Sequence, residues 1–203
     1  MAAAPTVPLD EKIDRVAAAL RSHKIEAIVV DTAEQARETV LRLVPDGAEV
    51  HSGKSRTLED VGLYKELMES GRYDAIRPKV FTMDRATQGR EIRKLISAPD
   101  VMLGSVAAVT EDGMLVAASA TGSQLGAYAS GAGRLILIVG SQKIVPDIEA
   151  AFRRIREVVF PWENEQVRAR MGVDTILEKV LIIFGEWTAG RTTVVLVREP
   201  VGI

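Results

Sequence analysis

Residues 52–57 read Ser52-Gly53-Lys54-Ser55-Arg56-Thr57, placing hydroxyls, two cations and a glycine in one short loop. Such a set suits an anion. The Gly53-Lys54-Ser55 core is also the closing triplet of a nucleotide-binding P-loop, whose backbone N–H groups wrap the phosphates. That loop needs a glycine five positions before Gly53, and Ala48 stands there. Gly47 misses by one residue, on the far side of the strand that "AEV" (48–50) suggests. The spacing therefore argues against a nucleoside triphosphatase. It leaves a smaller anion open, because strand, polar loop and helix start together offer backbone N–H groups and positive charge at one point. In open α/β sheets this corner, at the carboxyl ends of strands, is where ligands bind. The plain alternative is a solvated loop whose serines only cap a helix.

Three later segments mix glycine with hydroxyl, amide or charge, as binding loops do. They are "VTEDG" (109–113), "ATGSQLGA" (120–127) and "VGSQKIV" (139–145). Thr121, Gly122, Ser123 and Gln124 can donate to a ligand or simply cap a turn. Lys143, preceded by Gly140 and Ser141, can reach an anion or sit in solvent. Glu111 is a candidate carboxylate nucleophile; equally, Asp112-Gly113 marks the turn of a hairpin that contains it. Trp162, Glu163 and Asn164 can close over the site or meet another chain. His51, at a strand end beside the loop, can contact a ligand or serve structure, and Trp187 and Arg191 read as hairpin residues.

Elements that would position these residues follow from periodicity. Ile13, Val16, Ala17 and Leu20 form one apolar stripe, after an arm expected to be flexible at residues 1–9. Thr32 to Gln35 has capping-box spacing, for a helix that ends before Pro45. Thr57 and Asp60 repeat a capping pattern just past the opening motif. "YKELMES" (64–70) reads as helix, "KVF" (79–81) as a candidate strand, and 87–97 as a helix. "DVMLGS" (100–105), "RLILIVG" (134–140), "VLIIFG" (180–185) and "TTVVLVRE" (192–199) read as strands, with a hairpin over 107–119 and a short helix at 122–130. Ile148, Ala151, Phe152, Ile155 and Val159 mark an amphipathic helix before Pro161. Apolar strands alternating with helices imply an α/β domain over residues 10–203, a mostly parallel sheet with helices on both faces and a β-hairpin insertion.

Composition closes off other classes. The 203 residues are 47% hydrophobic and 27% charged, and 26 basic residues nearly balance 28 acidic ones. That balance argues against a nucleic-acid partner. The absence of cysteine excludes disulfides, cysteine nucleophiles and cysteine-bound iron–sulfur clusters. Two histidines are too isolated to suggest a metal site. "MAAAPTVPLDEK" is not a signal peptide and no apolar run spans a bilayer, so no membrane insertion and a cytoplasmic location are expected.

Taken together, "SGKSRTLEDVGL" (52–63), "PDVMLGSVAAVTEDGMLV" (99–116), "TGSQLGA" (121–127), "LILIVGSQKIVPDIEAAFRRI" (135–155) and "PWENEQVR" (161–168) resemble the LUD (lactate utilization) domain family, in particular its C-type member of a bacterial lactate-oxidation system. The likeness extends over about residues 25 to 203. It implies a fold related to ribose-5-phosphate isomerases and CoA transferases, and sets "SGKSRT" where the isomerases hold a phosphate. The isomerases' Asp-Gly-Ala-Asp-Glu stretch corresponds here to Gly104-Ser105-Val106-Ala107-Ala108, so isomerase chemistry is not expected. The CoA-transferase glutamate corresponds to Glu111. The resemblance implies an accessory role in lactate or organic-acid oxidation, with a small anionic metabolite as ligand. No cofactor is bound directly, and any iron–sulfur cluster belongs to partner lactate-oxidation subunits. An enzyme of CoA-linked or phosphorylated metabolites, with Glu111 or Lys143 catalytic, is the alternative. Oligomeric state is open.

Overall fold

Period-3.6 and period-2 apolar patterns account for most of the architecture. The computed structural model describes residues 8–203. Helix α1 (Leu9–Ser22) buries Ile13, Val16, Ala17 and Leu20 as their spacing predicts. Strand β1 (Glu26–Val30) and α2 (Ala33–Leu43) follow, with Thr32 accepting the Gln35 N–H at 3.2 Å as the cap. Next come β2 (Glu49–Ser52), α3 (Arg56–Asp60), α4 (Leu63–Glu69), β3 (Asp74–Ala75), α5 (Ile76–Thr82), α6 (Gly89–Ser97) and β4 (Val101–Gly104). The hairpin β5 (Ala108–Thr110) and β6 (Leu115–Ser119) precedes β7 (Arg134–Gly140) and β8 (Ile144–Val145). Helices α7 (Ile148–Arg154) and α8 (Phe160–Met171), then β9 (Lys179–Ile183) and β10 (Thr192–Val197), complete the chain.

Six strands form an all-parallel sheet in the order β1-β10-β7-β4-β2-β3. Central strand β7 shows why its sequence is apolar throughout. Leu135, Leu137 and Val139 pack on the α1 side, while Ile136 and Ile138 join the core under α2, α3 and α4. A strand covered on both faces has no polar side. The hairpin extends into a second sheet, β8-β5-β6-β9, in which β5 pairs antiparallel with β6 and parallel with β8. From β2 the chain moves outward to β3, whereas from β4 it works back to β7 and β10. The carboxyl ends of β2 and β4 therefore flank a topological switch point, where such sheets open a crevice.

Several expectations need correction. Residues 79–81 lie in α5, and the short strand there is Asp74–Ala75. Residues 122–130 form a turn and then a π-helical turn at Ala127–Gly131 instead of a regular helix. Pro161 does not end its helix. A π-helical turn at Ile155–Val159 shifts the bonding register just before it, so the run stays helical from α7 through α8. Trp187 and Arg191 are not in a hairpin, because β9 and β10 belong to different sheets. Of the arm expected at residues 1–9, residues 1–7 lie outside the described residues and Leu9 already belongs to α1. Among the described residues, no helix is long and apolar enough to cross a membrane.

Arg191 instead ties the crossover from β9 to β10 onto the core. Its guanidinium pairs with Glu186 at 2.7 Å and donates to the carbonyls of Ala127, Tyr128 and Ala132 at 2.9–3.2 Å. Both charged side chains are nearly buried, at 14% and 10% exposed. Removing one partner strands the other charge and frees three carbonyls. Arg191→Met should therefore lower the unfolding free energy by about 3–5 kcal/mol in urea denaturation; a loss below about 1 kcal/mol would contradict this account.

Candidate functional site

At the switch point lies a cavity of about 610 Å³, lined by the loop after β2, the loop after β4, the end of β6 and the α7–α8 run. Its basic lining residues are Lys54, Arg56, Arg77, Arg85 and Lys143, set against one carboxylate side chain, Glu163. Arg56 pairs with Asp60 at 2.7 Å, and Glu163 with Arg170 at 3.6 Å.

Local hydrogen bonds fix the loop after β2. The cap of α3 is Ser55, whose side chain accepts the Leu58 N–H at 3.4 Å; Thr57, expected as the cap, is buried inside the helix. Tyr64 accepts the Ser55 N–H at 2.7 Å and donates to the Gly53 carbonyl. Burial, the largest influence on Tyr64, raises its pKa, so it stays a phenol. These bonds use donors that an anion would otherwise take, and α3 has only five residues. A helix end therefore has little to offer an anion here, and the free polar groups are on side chains. Arg77 braces the same loop by donating to the Ser52 carbonyl at 3.2 Å, with its guanidinium over the Phe81 ring at 5.0 Å.

The floor is Lys143. It is only 3% exposed, and its Nζ donates to Thr57 Oγ1 at 2.7 Å and Ser105 Oγ at 2.9 Å. Ser105 in turn donates to the Ile138 carbonyl at 2.6 Å. Burial, and secondarily the nearby Arg154 guanidinium, lower the Lys143 pKa to about 7, against a smaller opposing pull from Asp60. His51 also faces the cavity. Burial and then Arg77 lower its pKa to about 4, so it is neutral, and its buried Nδ1 has no partner among the described residues. Gly104 is constrained by close approach: a Cβ there would lie 1.7 Å from the Tyr128 hydroxyl, which donates to the Ser105 carbonyl at 3.2 Å.

Of the residues singled out in the sequence, Gly53, Lys54, Ser55, Arg56, Thr57, Thr121, Ser123, Gln124 and Lys143 line this cavity. Ser52, Gly122, Gly140 and Ser141 do not. Ser52 is fully buried beneath the loop. Gly122, at φ +80°, makes a turn against Lys179, and Gly140 lets the backbone of Val201 pass where a Cβ would stand 2.5 Å from its nitrogen. Ser141 opens a 3-10 turn. Glu111 is placed elsewhere: at the hairpin tip it pairs with Lys12 at 3.2 Å and Arg15 at 3.4 Å, both on α1. As a candidate nucleophile it therefore has no place in the cavity lining. Trp162 and Glu163 do line the cavity, whereas Asn164 accepts the Thr175 N–H at 2.8 Å. Arg77, Arg85 and Ser105 went unselected as site residues. The two arginines carry no motif signal, because they sit on and after α5, whose residues 79–81 read as strand from sequence.

The LUD domain family profile matches residues 13–197. The chain belongs to the LUD domain family. No curated protein matches the sequence. A crystal structure at 1.70 Å resolution of a DUF162 family protein from Deinococcus radiodurans is similar to this LUD domain, with a TM-score of 0.55 at 13% identity. The likeness covers 95% of this chain and 99% of that one, and at this identity it concerns the fold alone. The α/β reading, with a mostly parallel sheet, holds.

Lys143 gives the domain a pH-dependent stability of definite sign. Its pKa falls from 10.5 unfolded to about 7 folded, so between these values the unfolded chain binds more protons. Stability carried by this residue therefore rises from about pH 7 to 10.5, and the cost of burying it is fully present below about 7. The unfolding free energy of the wild type minus that of Lys143→Met should increase by up to about 1.4 kcal/mol per pH unit in this window. Urea titrations at several pH values check it, and a flat difference would contradict it.

Proposed function

We propose that this LUD domain binds a small organic anion in the switch-point cavity and acts as an accessory component of lactate or related organic-acid utilization. The observation that carries this is the charge of the lining, where Lys54, Arg56, Arg77 and Arg85 stand against one carboxylate side chain, Arg56 and that carboxylate each being ion-paired. A low-dielectric cleft lined by one sign of charge concentrates the opposite sign. Family membership supports the metabolic setting. The chain has no cysteine, so electron transfer is assigned to partner subunits that carry any iron–sulfur centre.

Sugar-phosphate isomerase activity is not part of this reading. Proton transfer beside a carbonyl needs a positioned carboxylate or other base. The last residue of β4, Gly104, and the positions after it, Ser105, Val106 and Ala107, are not acidic, and Glu163 is the one acidic side chain in the lining. The enzymatic alternative loses the support of Glu111, which is held against α1, and rests on Lys143.

Lys54 and Arg85 are exposed and make no side-chain hydrogen bond or ion pair among the described residues, so changing them should leave the fold intact. Isothermal calorimetry with L-lactate, pyruvate and phosphate should show binding of at least one. Lys54→Ala with Arg85→Ala should weaken it about tenfold, roughly 1.4 kcal/mol. Absence of binding at millimolar ligand, or an unchanged affinity in the double variant, would sink the anion site. Co-purification with a cluster-bearing partner tests the accessory role, and a chain that isolates alone from its native cell counts against it.

A further inference from the structure

Lys143 is surrounded as an amine nucleophile would be, rather than as a paired ammonium. A lysine ordinarily keeps its head in water or against a carboxylate. Asp60, whose charge it feels, is already paired with Arg56 at 2.7 Å. A neutral amine has two N–H groups and one lone pair. Thr57 Oγ1 and Ser105 Oγ take the two N–H groups at 2.7 and 2.9 Å. The Ser105 hydroxyl is committed to the Ile138 carbonyl, so towards Nζ it accepts. The lone pair is left for a ligand. Burial makes the uncharged form accessible at neutral pH, the usual route to a nucleophilic lysine.

The cavity also has a second character. Its walls also include Ile96, Val159, Phe160, Trp162 and Ile176. At about 610 Å³ it exceeds what a three-carbon acid fills. Cations, an amine and apolar side chains lining one cavity suit a ligand with an acid group, a carbonyl and an apolar tail. Resting on the anion reading above, we propose that Lys143 forms a reversible imine with a 2-oxo acid whose side chain is apolar. The lone pair adds to the carbonyl carbon to give a carbinolamine. The carbonyl oxygen then leaves as water, taking the two amine hydrogens, as a C=N bond replaces the C–N and C–O bonds of the carbinolamine. No oxidant or further reactant is needed, and reversal by water returns the acid unchanged. The carboxylate stays with the cations, while Thr57 and Ser105 hold the amine for attack.

Reductive trapping tests this on the intact chain. The protein is incubated with 4-methyl-2-oxopentanoate or pyruvate and sodium cyanoborohydride, digested, and its peptides analysed by mass spectrometry. The expected result is a saturable adduct on Lys143, heavier by the oxo acid less one oxygen atom, with half-saturation at least tenfold lower for the branched acid. L-Lactate, which has no carbonyl, should compete with it, and Lys143→Arg should abolish it with the circular dichroism spectrum unchanged. Because the trap is read on wild-type protein, it does not depend on that variant folding. Labelling confined to exposed lysines such as Lys54 overturns the imine. Equal labelling by the two acids overturns the apolar-tail selectivity. Binding of both acids by calorimetry without an adduct overturns the imine and leaves the anion site standing, whereas neither binding nor adduct overturns both.

Discussion

Four strand ends converge on one amine, and the site depends on that convergence. Thr57 follows β2, Ser105 follows β4, Lys143 follows β7, and Gly202 follows β10. The first two accept hydrogen bonds from Lys143 Nζ. Gly202 passes so closely that a Cβ would lie 2.0 Å from Thr57 Oγ1 and 2.9 Å from Nζ, and its φ of +78° favours glycine in any case. Desolvating an ammonium costs several kcal/mol unless it is paired or loses its proton. With only hydroxyls as acceptors, the second route is the cheaper one here. The result is an amine that is buried, hydrogen-bonded and poorly basic, at the floor of a cleft whose mouth carries permanent cations.

The second sheet explains how so remote a lysine meets Ser105. Lys143 immediately precedes β8, and β8 pairs in parallel with β5, aligning Ile144 with Val109 and Val145 with Thr110. Ser105 lies just upstream of β5. Pairing two short strands thus brings the turn after β7 back to the turn after β4. The same sheet sends β6 antiparallel to β5, so that Ala117 to Ser119 become the opposite wall of the cavity. The hairpin is therefore part of the site's frame, and its tip is anchored separately by Glu111 against Lys12 and Arg15.

Much of this was legible in the sequence. The α1 stripe, the Thr32 cap, the β7 core strand and the Asp112-Gly113 hairpin all rest on local rules of periodicity and turn chemistry, and all stand in the structure. The loop after β2 was found because its chemistry is contiguous in sequence. What escaped notice depends on contacts distant along the chain. Arg191 looks like a turn residue until the destination of β10 is known, since the carbonyls it satisfies lie 59 to 64 residues away. The helix through Pro161 broke a sound rule because a π-helical turn absorbed the register. Lys143 was singled out as a cation on a loop, whereas its burial and its partners 86 and 38 residues away are what give it a distinct chemistry.

The missing acids and the unusual lysine are one physical fact. A carboxylate at position 105 would sit beside Nζ and hold the proton there by direct attraction. Lys143 would then be a fixed cation, fit to steady an oxyanion and unfit to attack a carbonyl. Gly104, Ser105, Val106 and Ala107 supply instead a close backbone approach, one hydroxyl and apolar cover. The hydroxyl orients the amine without charging it. Addition to a carbonyl requires an uncharged amine, and the residues after β4 bring no carboxylate that would keep this one charged. The opening loop accordingly contributes less through Gly53 and Ser55, which are held in bonds with Tyr64 and Leu58, than through Thr57, the hydroxyl that holds Lys143 in place.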